Sequence, residues 1–251
     1  MRKETVLGRV VRILEVFGTD TTAVGVSELA RRADLHVATA SRLVEQLVGY
    51  GWLQRDGDRK VRIGVRLWEL ASRASPTLPL REAAMPYMED LHAVVRQHTQ
   101  LGVLDGDEVL FVERLSARHA VINLTRIAGR LPLHVSSSGE VLLAYAPPEL
   151  QERVLQEPLR AYTPKTVTDP KVLRRRLADI RREGFVVCAG FVDERATGIA
   201  VPVRGPGGDV VAALSVVVPN DAKARMQVPA LRAAALGISR AMGLSLSENR
   251  L

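Results

Sequence analysis

The stretch GVSELARRADLHVATASRLVEQLVGYGWLQRDGDRKVRIG, residues 25–64, decides the fold of the N-terminal part of the chain. Apolar residues recur at helical spacing in two short runs, residues 29–33 and 40–47, with a tight corner between them. Ser27 stands at the start of the first run, where its hydroxyl is expected to cap a helix. Asp56-Gly57 then separates two short runs of strand-forming residues, as in a hairpin. The pattern predicts a helix, a turn, a second helix and a hairpin wing.

The same stretch contains residues suited to contact with DNA. A helix–turn–helix lays its second helix in the major groove, where residues near the helix N-terminus reach base edges. The candidate DNA-binding residues lie on the two helices, at the corner and on the wing, and are Ser27, His36, Thr39, Ser41, Arg42, Arg59, Lys60 and Arg62. Arg42 is the foremost candidate, because a guanidinium can bond a guanine bidentately or clamp a phosphate. Alternatively, Arg42 is a solvated surface arginine, Ser27 only caps its helix, and His36 is a turn residue.

The charge distribution agrees with a nucleic-acid partner. The 251 residues carry a formal charge of +7, and residues 1–75 contain 13 Lys and Arg against 9 Asp and Glu. The positive excess is therefore denser in this part than in residues 76–251, and basic wing residues suit contact with the DNA backbone. Excess charge also serves solubility, so it supports DNA binding only in combination with the motif.

Several other classes of protein are disfavoured. No run approaches the roughly 20 apolar residues that a membrane-spanning helix needs, and residues 1–17 lack a signal-peptide cleavage site. We therefore expect a soluble, cytoplasmic protein without a membrane partner. Cys188 is the single cysteine, so it has no partner for an internal disulfide or a zinc site, and neither a metal nor a cofactor is expected.

The length predicts two domains, each with its own core. Val6, Val10, Ile13, Leu14 and Phe17 form an apolar helical stripe that is expected to cover the core of the first domain, residues 1–66. Residues 67–97 are predicted to be linker helices, interrupted at Pro76 and Pro79.

Residues 98–251 show a different periodicity and form the second predicted domain. Strands are predicted at residues 100–104 and 108–112, joined by a hairpin turn, and at 120–127, 185–189, 198–203 and 210–218. Helices are predicted to begin at Ser138 and to span residues 149–156, 170–182 and 228–242. Strands with helices gathered between them indicate an α+β domain.

Several motifs in order resemble the IclR family of bacterial transcription regulators. RVVRILEVF (9–17), the stretch from residue 26 to 55 and VRIG (61–64) resemble its winged helix–turn–helix. GRLPLHVSSSGEVLLA (129–144), TPKTVTDPKVLRRRLADIRREGFVV (163–187) and GIAVPVRGPGGDVVAALSVVVP (198–219) resemble successive parts of its C-terminal domain. The resemblance covers nearly the whole chain.

The resemblance implies a DNA-binding domain joined by a linker helix to a GAF-like α/β domain with an antiparallel sheet that binds a small organic effector. It implies a sequence-specific regulator, more commonly a repressor, that binds a pseudo-palindromic double-stranded operator. It also implies a homodimer formed through the N-terminal module, often paired into a tetramer.

The resemblance also implies an effector pocket. Carried over residue by residue, its positions here are Ser137, Ser138, Cys188, Gly198 and Ser215. Members that bind small oxo-acids usually have a carboxylate where Cys188 stands, acidic residues after it and often a cysteine where Gly198 stands, and the usual lysine after the loop glycine is Glu140 here. Fewer polar groups would make the pocket more apolar and roomier. We therefore hypothesise a ligand larger or less polar than glyoxylate or pyruvate, aromatic or otherwise hydrophobic; the alternative is a pocket without a ligand.

Two rival classes are weighed against the regulator. The chain lacks G-x-S-x-G and H-E-x-x-H motifs, and its histidines do not have zinc-helix spacing, so we expect that the protein is not an enzyme. A ligand-binding or protein-interaction module without DNA readout is the second rival. Retention on DNA that weakens steeply with salt would separate it from a regulator.

Overall fold

The computed structural model describes residues 5–18, 20–73, 75, 77–123 and 125–248, without the side chains of 244–248. The chain divides into two compact units, with the boundary between residues 76 and 77. The predicted linker, residues 67–97, is thus shared between the two units. Among the helices that the structure describes, none has the length and apolar character that crossing a bilayer requires.

The first unit is a winged helix–turn–helix, as predicted. Its elements are α1 (Val6–Glu15), α2 (Val26–Arg32), α3 (Val37–Gly49), β1 (Leu53–Arg55), β2 (Val61–Ile63) and α4 (Val65–Arg73). The wing strands are antiparallel, with Leu53 opposite Ile63 and Arg55 opposite Val61. Ala40, Leu43, Val44 and Leu47 of α3 are buried, as their spacing predicts, and join Ile13 and Leu29 in one core.

Two predictions for the first unit are wrong in detail. The residue that precedes α2 is Gly25, so Ser27 is the second residue of the helix and does not cap it. The Ser27 side chain is exposed. Val6 is 62% exposed, because it lies in the first turn of α1, ahead of the part that packs through Ile13.

The second unit is built on an antiparallel sheet with helices on both faces. Its strands are β3 (His98–Asp105), β4 (Glu108–Ser116), β5 (Arg130–Pro132), β6 (Val186–Ala189), β7 (Ala196–Arg204) and β8 (Val210–Pro219), in the order β5-β4-β3-β8-β7-β6. Its helices are α5 (Leu78–Val95), α6 (Ser137–Ala144), α7 (Pro148–Gln156), α8 (Pro170–Glu183) and α9 (Val228–Glu248). The predicted hairpin between β3 and β4 is confirmed, with Gly106 at φ 65° in its turn.

Alternate residues of the strands feed two separate cores. Phe111 and Ala213 point to the face covered by α6, α7 and α8, whereas Val112 and Leu214 point to the face covered by α5 and α9. This alternation follows from the period of two in an extended strand. Because Ala84, Met88 and Leu91 of α5 are buried in the second core, α5 is part of the second unit's packing.

The strand predicted at residues 120–127 is wrong. The described residues of this segment form an irregular loop, and the strand next to β4 is β5, after Gly129. Side chains take the place of ladder hydrogen bonds: Gln97 Oε1 accepts from the Val121 N–H (2.9 Å), His98 Nε2 donates to the Val121 carbonyl (2.7 Å), and Arg114 donates to the Thr125 carbonyl. Apolar composition alone could not reveal these partners.

Candidate functional site

The outer face of α3 presents polar groups to solvent because its other face is committed to the core. Arg42 is exposed, and Thr39 and Ser41 are half-buried beside it. Arg42 has no hydrogen-bond or ion-pair partner among the described residues. The guanidinium is therefore available to an external acceptor.

His36 shapes the start of this helix. It is the residue before α3, with extended backbone angles (φ −64°, ψ 137°), and its Nδ1 accepts a hydrogen bond from the Ala38 N–H at 3.3 Å. Satisfying a free N–H at the helix start is the usual role of a capping side chain. His36 is therefore a turn residue, which is the alternative role that its position in the sequence allows. Its second ring nitrogen, Nε2, takes no part in this hydrogen bond.

The basic residues of the wing fall into two groups. Arg62 bonds Asp56 at 2.7 Å, and this guanidinium, with backbone N–H groups of Lys60 and Asp58, holds the pKa of the Asp56 carboxyl below its usual value. Arg59 and Lys60 lie at the exposed tip, and neither side chain has an ion-pair partner among the described residues. The tip therefore offers two unneutralised cations beside α3.

The second unit contains a cavity beside the N-terminus of α6. Ser137, Ser138, Cys188 and Gly198 line it, in agreement with the predicted pocket positions. Ser215 does not line the cavity. It is buried directly behind Ser138, whose hydroxyl donates to Ser215 Oγ at 2.8 Å.

The polar end of the cavity is rich in hydrogen-bond donors. Ser136 precedes α6 and accepts from the Gly139 N–H at 3.1 Å, so the residue that caps the helix lies two positions before the predicted helix start at Ser138. The N–H groups of Ser137 and Ser138 belong to the first turn, which has no intrahelical acceptors and carries the positive end of the helix dipole. Asn123 Nδ2 is buried and has no hydrogen-bond partner among the described residues.

At the polar end of the cavity, the backbone of α6 lies very close to neighbouring segments of the chain. A Cβ added to Gly198 would lie 2.8 Å from Ser137 Oγ, and one added to Gly139 would lie 2.4 Å from the Leu133 carbonyl oxygen. The two glycines therefore let β7 and the 133–135 segment pack against α6. The sequence predicts Gly198 as a pocket residue but gives no indication that it contacts Ser137.

The rest of the cavity is largely apolar. Its lining includes Phe111, Ile122, Leu131, Val135, Phe191 and Val217. Asp193 also lines it, but its carboxylate is bound by Arg195 through Nε (3.0 Å) and Nη2 (2.8 Å), and these bonds lower its pKa to about 2. The negative charge on this wall is thus paired with a neighbouring cation.

A buried ion pair behind the cavity was not predicted. Glu140 is fully buried, and Arg176 bonds both of its carboxylate oxygens at 2.7–3.1 Å. Burial raises the pKa of the Glu140 carboxyl, and the Arg176 guanidinium opposes that shift. A glutamate within the apolar run of α6 was the signal in the sequence, but its partner lies 36 residues away.

Cys188 is 3% exposed, and burial raises the pKa of its thiol well above the usual value. It therefore serves as a small buried side chain. Within the part of the chain that the structure describes, no cluster of His, Cys, Asp and Glu could hold a metal ion.

Comparison with known proteins agrees with both units. The model for the IclR helix-turn-helix domain matches residues 6–57, and the model for the bacterial transcriptional regulator IclR C-terminal domain matches residues 73–240. The chain belongs to the IclR family of bacterial transcriptional regulators. It is thus a DNA-binding regulator with a C-terminal effector-binding domain, and not an enzyme.

Individual relatives cover nearly the full length. An IclR homologue from Microbacterium hydrocarbonoxydans, solved in complex with 4-hydroxybenzoate, is 52% identical over 95% of this chain and 99% of its own, with a TM-score of 0.92. The transcriptional regulators XynR and KdgR of Escherichia coli are 29% and 27% identical, over 94% and 92% of this chain and 96% and 92% of their own lengths.

Proposed function

We propose that this regulator binds a small aromatic carboxylic acid, of the 4-hydroxybenzoate type, in the cavity of the second unit and that occupancy changes its affinity for operator DNA. The observation that carries the proposal is the pairing of unsatisfied donors with an aromatic wall. Asn123 Nδ2 and the first turn of α6 offer hydrogen bonds to an anion, and Phe111 and Phe191 offer apolar surface.

The carboxylate and the aromatic ring of this ligand each match a different part of the cavity lining. A buried donor without a partner costs free energy, so an acceptor that reaches it gains more than it would at the surface. A carboxylate supplies that acceptor, and an aromatic ring removes phenylalanine surface from water. A small oxo-acid has no ring to cover the apolar side chains of Phe111 and Phe191. The relative that was solved with 4-hydroxybenzoate supports this class of ligand.

Ligand titration tests the proposal directly. Thermal shift and calorimetry with the full chain should show stabilisation by 4-hydroxybenzoate and benzoate, weaker stabilisation by cyclohexanecarboxylate, and none by glyoxylate or pyruvate. Stabilisation by the small oxo-acids alone would contradict it.

On the DNA side, the proposed contacts are the candidate residues of the first unit. Thr39, Ser41 and Arg42 are assigned to the major groove, because Arg42 is exposed and the other two lie half-buried beside it. Arg59 and Lys60 are assigned to the DNA backbone, because both are exposed and neither has an ion-pair partner among the described residues. Ser27 is exposed in the first turn of α2 and is assigned to a phosphate. His36 and Arg62 are assigned positions at the interface, although each already has a partner within the unit.

A homodimer formed by the first unit is proposed as the DNA-binding form. Large apolar side chains are exposed on both helices that flank the motif: Val6, Leu7 and Val11 on α1 and Val65 and Trp68 on α4, at 43–72%. A second copy of the chain would bury them, and a two-fold dimer would place two recognition helices about 34–36 Å apart, or a multiple of that distance, on a pseudo-palindrome. We further propose that the protein acts in the cytoplasm, where it represses its target genes.

The oligomeric state is testable by changing one exposed residue. Trp68→Glu should reduce the sedimentation mass to that of a monomer and weaken operator binding, since a charge would enter the apolar interface. Met226→Glu is the matched control, because Met226 is 72% exposed in the other unit. Equal behaviour of the two variants would remove α4 from the interface.

A further inference from the structure

Arg176 stands where three elements of the cavity wall meet. Its Nε and Nη2 bond the carboxylate of Glu140 on α6, and Nη2 also reaches the Val187 carbonyl at 3.3 Å and Cys188 Sγ at 3.5 Å on β6. Its guanidinium carbon lies 5.0 Å from the centre of the Phe191 ring. One side chain of α8 thus joins α6, β6 and the turn that follows β6.

Glu140 fixes the position of this guanidinium. The carboxylate is fully buried, so loss of either bond from Arg176 would leave a buried charge without a partner. Bidentate geometry also restricts the orientation of the planar guanidinium, which a single contact would not do. The pair is therefore stiff as well as charged.

Of the three residues that Arg176 contacts on β6 and in the turn after it, two face the cavity, whereas Val187, Arg176 and Glu140 do not line it. Cys188 and Phe191 both line it. Cys188 lies opposite Gly198 in the ladder of β6 and β7, and Gly198 packs against Ser137 at the start of α6. A displacement of the guanidinium would thus change the wall that a ligand touches, although Arg176 itself touches no ligand.

We propose that Arg176 is a positioning residue of the effector pocket, which holds Phe191 and Cys188 in the wall through its bond to Glu140 and thereby sets the affinity for an aromatic ligand. For the ligand class the inference rests on the proposed function. For the wall itself it rests on the contacts within the second unit.

Helix α8 provides a matched control two residues away. Arg174 also bonds both oxygens of a glutamate, Glu152 of α7, with Nη2 to Oε2 at 2.7 Å. Both of these side chains are about half exposed, and neither lines the cavity. The two pairs share a helix and bond type and differ in burial and in contact with the pocket wall.

The first experiment measures ligand affinity in the full chain. Arg176→Lys keeps the charge but loses the bidentate bond, and we expect it to weaken 4-hydroxybenzoate binding about tenfold or more, with a smaller loss for cyclohexanecarboxylate. Arg174→Lys should change neither affinity by more than about twofold. In a Phe191→Leu background the Arg176→Lys loss should largely disappear, because the ring that the guanidinium holds is gone. Equal affinity of Arg176→Lys and wild type, or losses that simply add, would overturn the proposal.

The second experiment needs no ligand. Cys188 is the only cysteine, so its alkylation by N-ethylmaleimide reports one position in the wall. Arg176→Lys and the near-isosteric Glu140→Gln should raise the alkylation rate about tenfold as the wall loosens, and Arg174→Lys should leave it unchanged. Unchanged alkylation rates in the first two variants would overturn the proposal. Loss of the folded circular dichroism spectrum in both variants would also overturn it, because the ion pair would then be required for folding and not for positioning the wall. If wild type binds no aromatic acid, the proposed function fails, while the alkylation rates still decide the role of Arg176.

Discussion

Arg42 and Arg62 carry the same charge in the same small module, but the structure gives them different environments. Arg62 is bound to Asp56, whereas Arg42 points outward from α3 with no partner among the described residues. Arg59, at the wing tip, is also exposed, and its left-handed backbone (φ 59°) forms part of the turn. We therefore propose a base-reading role for Arg42, from its position on α3, and a backbone role for Arg59.

Arg42→Ala should reduce the preference for the operator over random DNA. If the guanidinium bonds a guanine, about 1–3 kcal/mol of specific binding is lost, whereas Arg59→Ala should weaken all sequences similarly. Fluorescence anisotropy on operator and random duplexes, at several salt concentrations, measures both effects. Equal losses on both duplexes for Arg42→Ala would assign that residue to a phosphate.

Asn123→Asp tests the buried donor in the cavity. The substitution keeps the oxygen that accepts from Thr125 and replaces only Nδ2, so it would place an oxygen near the ligand carboxylate. We expect 4-hydroxybenzoate to bind at least 1 to 3 kcal/mol more weakly, roughly the cost of an unmatched buried polar group. Binding of the neutral 4-hydroxybenzamide should fall less. Calorimetry on the two ligands would contradict the role of Asn123 if both lost the same affinity.

At the scale of the element, β7 and the N-terminus of α6 approach closely because position 198 is glycine. The contact decides both the width of the cavity and the position of the α6 N–H groups. Ser138 is drawn inward by its bond to Ser215 of β8, so the helix start is fixed to the sheet from two strands.

Gly198→Ala should therefore destabilise the second unit and weaken ligand binding. The new Cβ would lie 2.8 Å from Ser137 Oγ, and overpacking of this kind costs about 1–3 kcal/mol. Ser137→Ala removes the clashing oxygen, so the double variant should recover most of the lost unfolding free energy. Urea denaturation of the single and double variants gives the comparison. A double variant no more stable than Gly198→Ala would place the strain elsewhere.

At the scale of the whole molecule, ligand binding lies in one compact unit and DNA contact in the other. A ligand changes DNA affinity only if it binds differently to the DNA-competent and DNA-incompetent arrangements of the chain. The segment that contains α4 and α5 connects the units, and α5 is packed into the core of the ligand-binding unit. We therefore assign the transmission of the ligand signal to this segment.

Insertion of a flexible Gly-Ser segment of about ten residues between α4 and α5 should uncouple the two activities. We expect unchanged affinity for 4-hydroxybenzoate and retained salt-dependent DNA binding, but no effect of the ligand on the operator affinity. Operator titrations with and without ligand measure the coupling. A ligand effect that survives the insertion would contradict this route.

Sequence reasoning was most successful where the signal is local. The helical spacing in α3, the Asp-Gly wing and the Gly106 turn need only neighbouring residues, and all were confirmed. Its errors lie at the helix starts and in the 120–127 loop. A serine near a helix start does not reveal which residue has extended backbone angles, and apolar residues do not reveal that distant side chains bind their backbone.

The sequence by itself determined the family and the order of the two units, because both depend on short-range patterns and motifs. The family resemblance also pointed to four residues that line the cavity, Ser137, Ser138, Cys188 and Gly198. Only the tertiary structure decided that Asn123 faces the cavity, that Ser215 lies behind Ser138, and that Glu140 meets Arg176. These contacts join residues that are 36 to 77 positions apart or lie on an irregular loop. The packing of α6, α8 and the sheet decides which buried polar groups meet. Periodicity along the chain does not predict that packing, because it reports only which face of each element is buried.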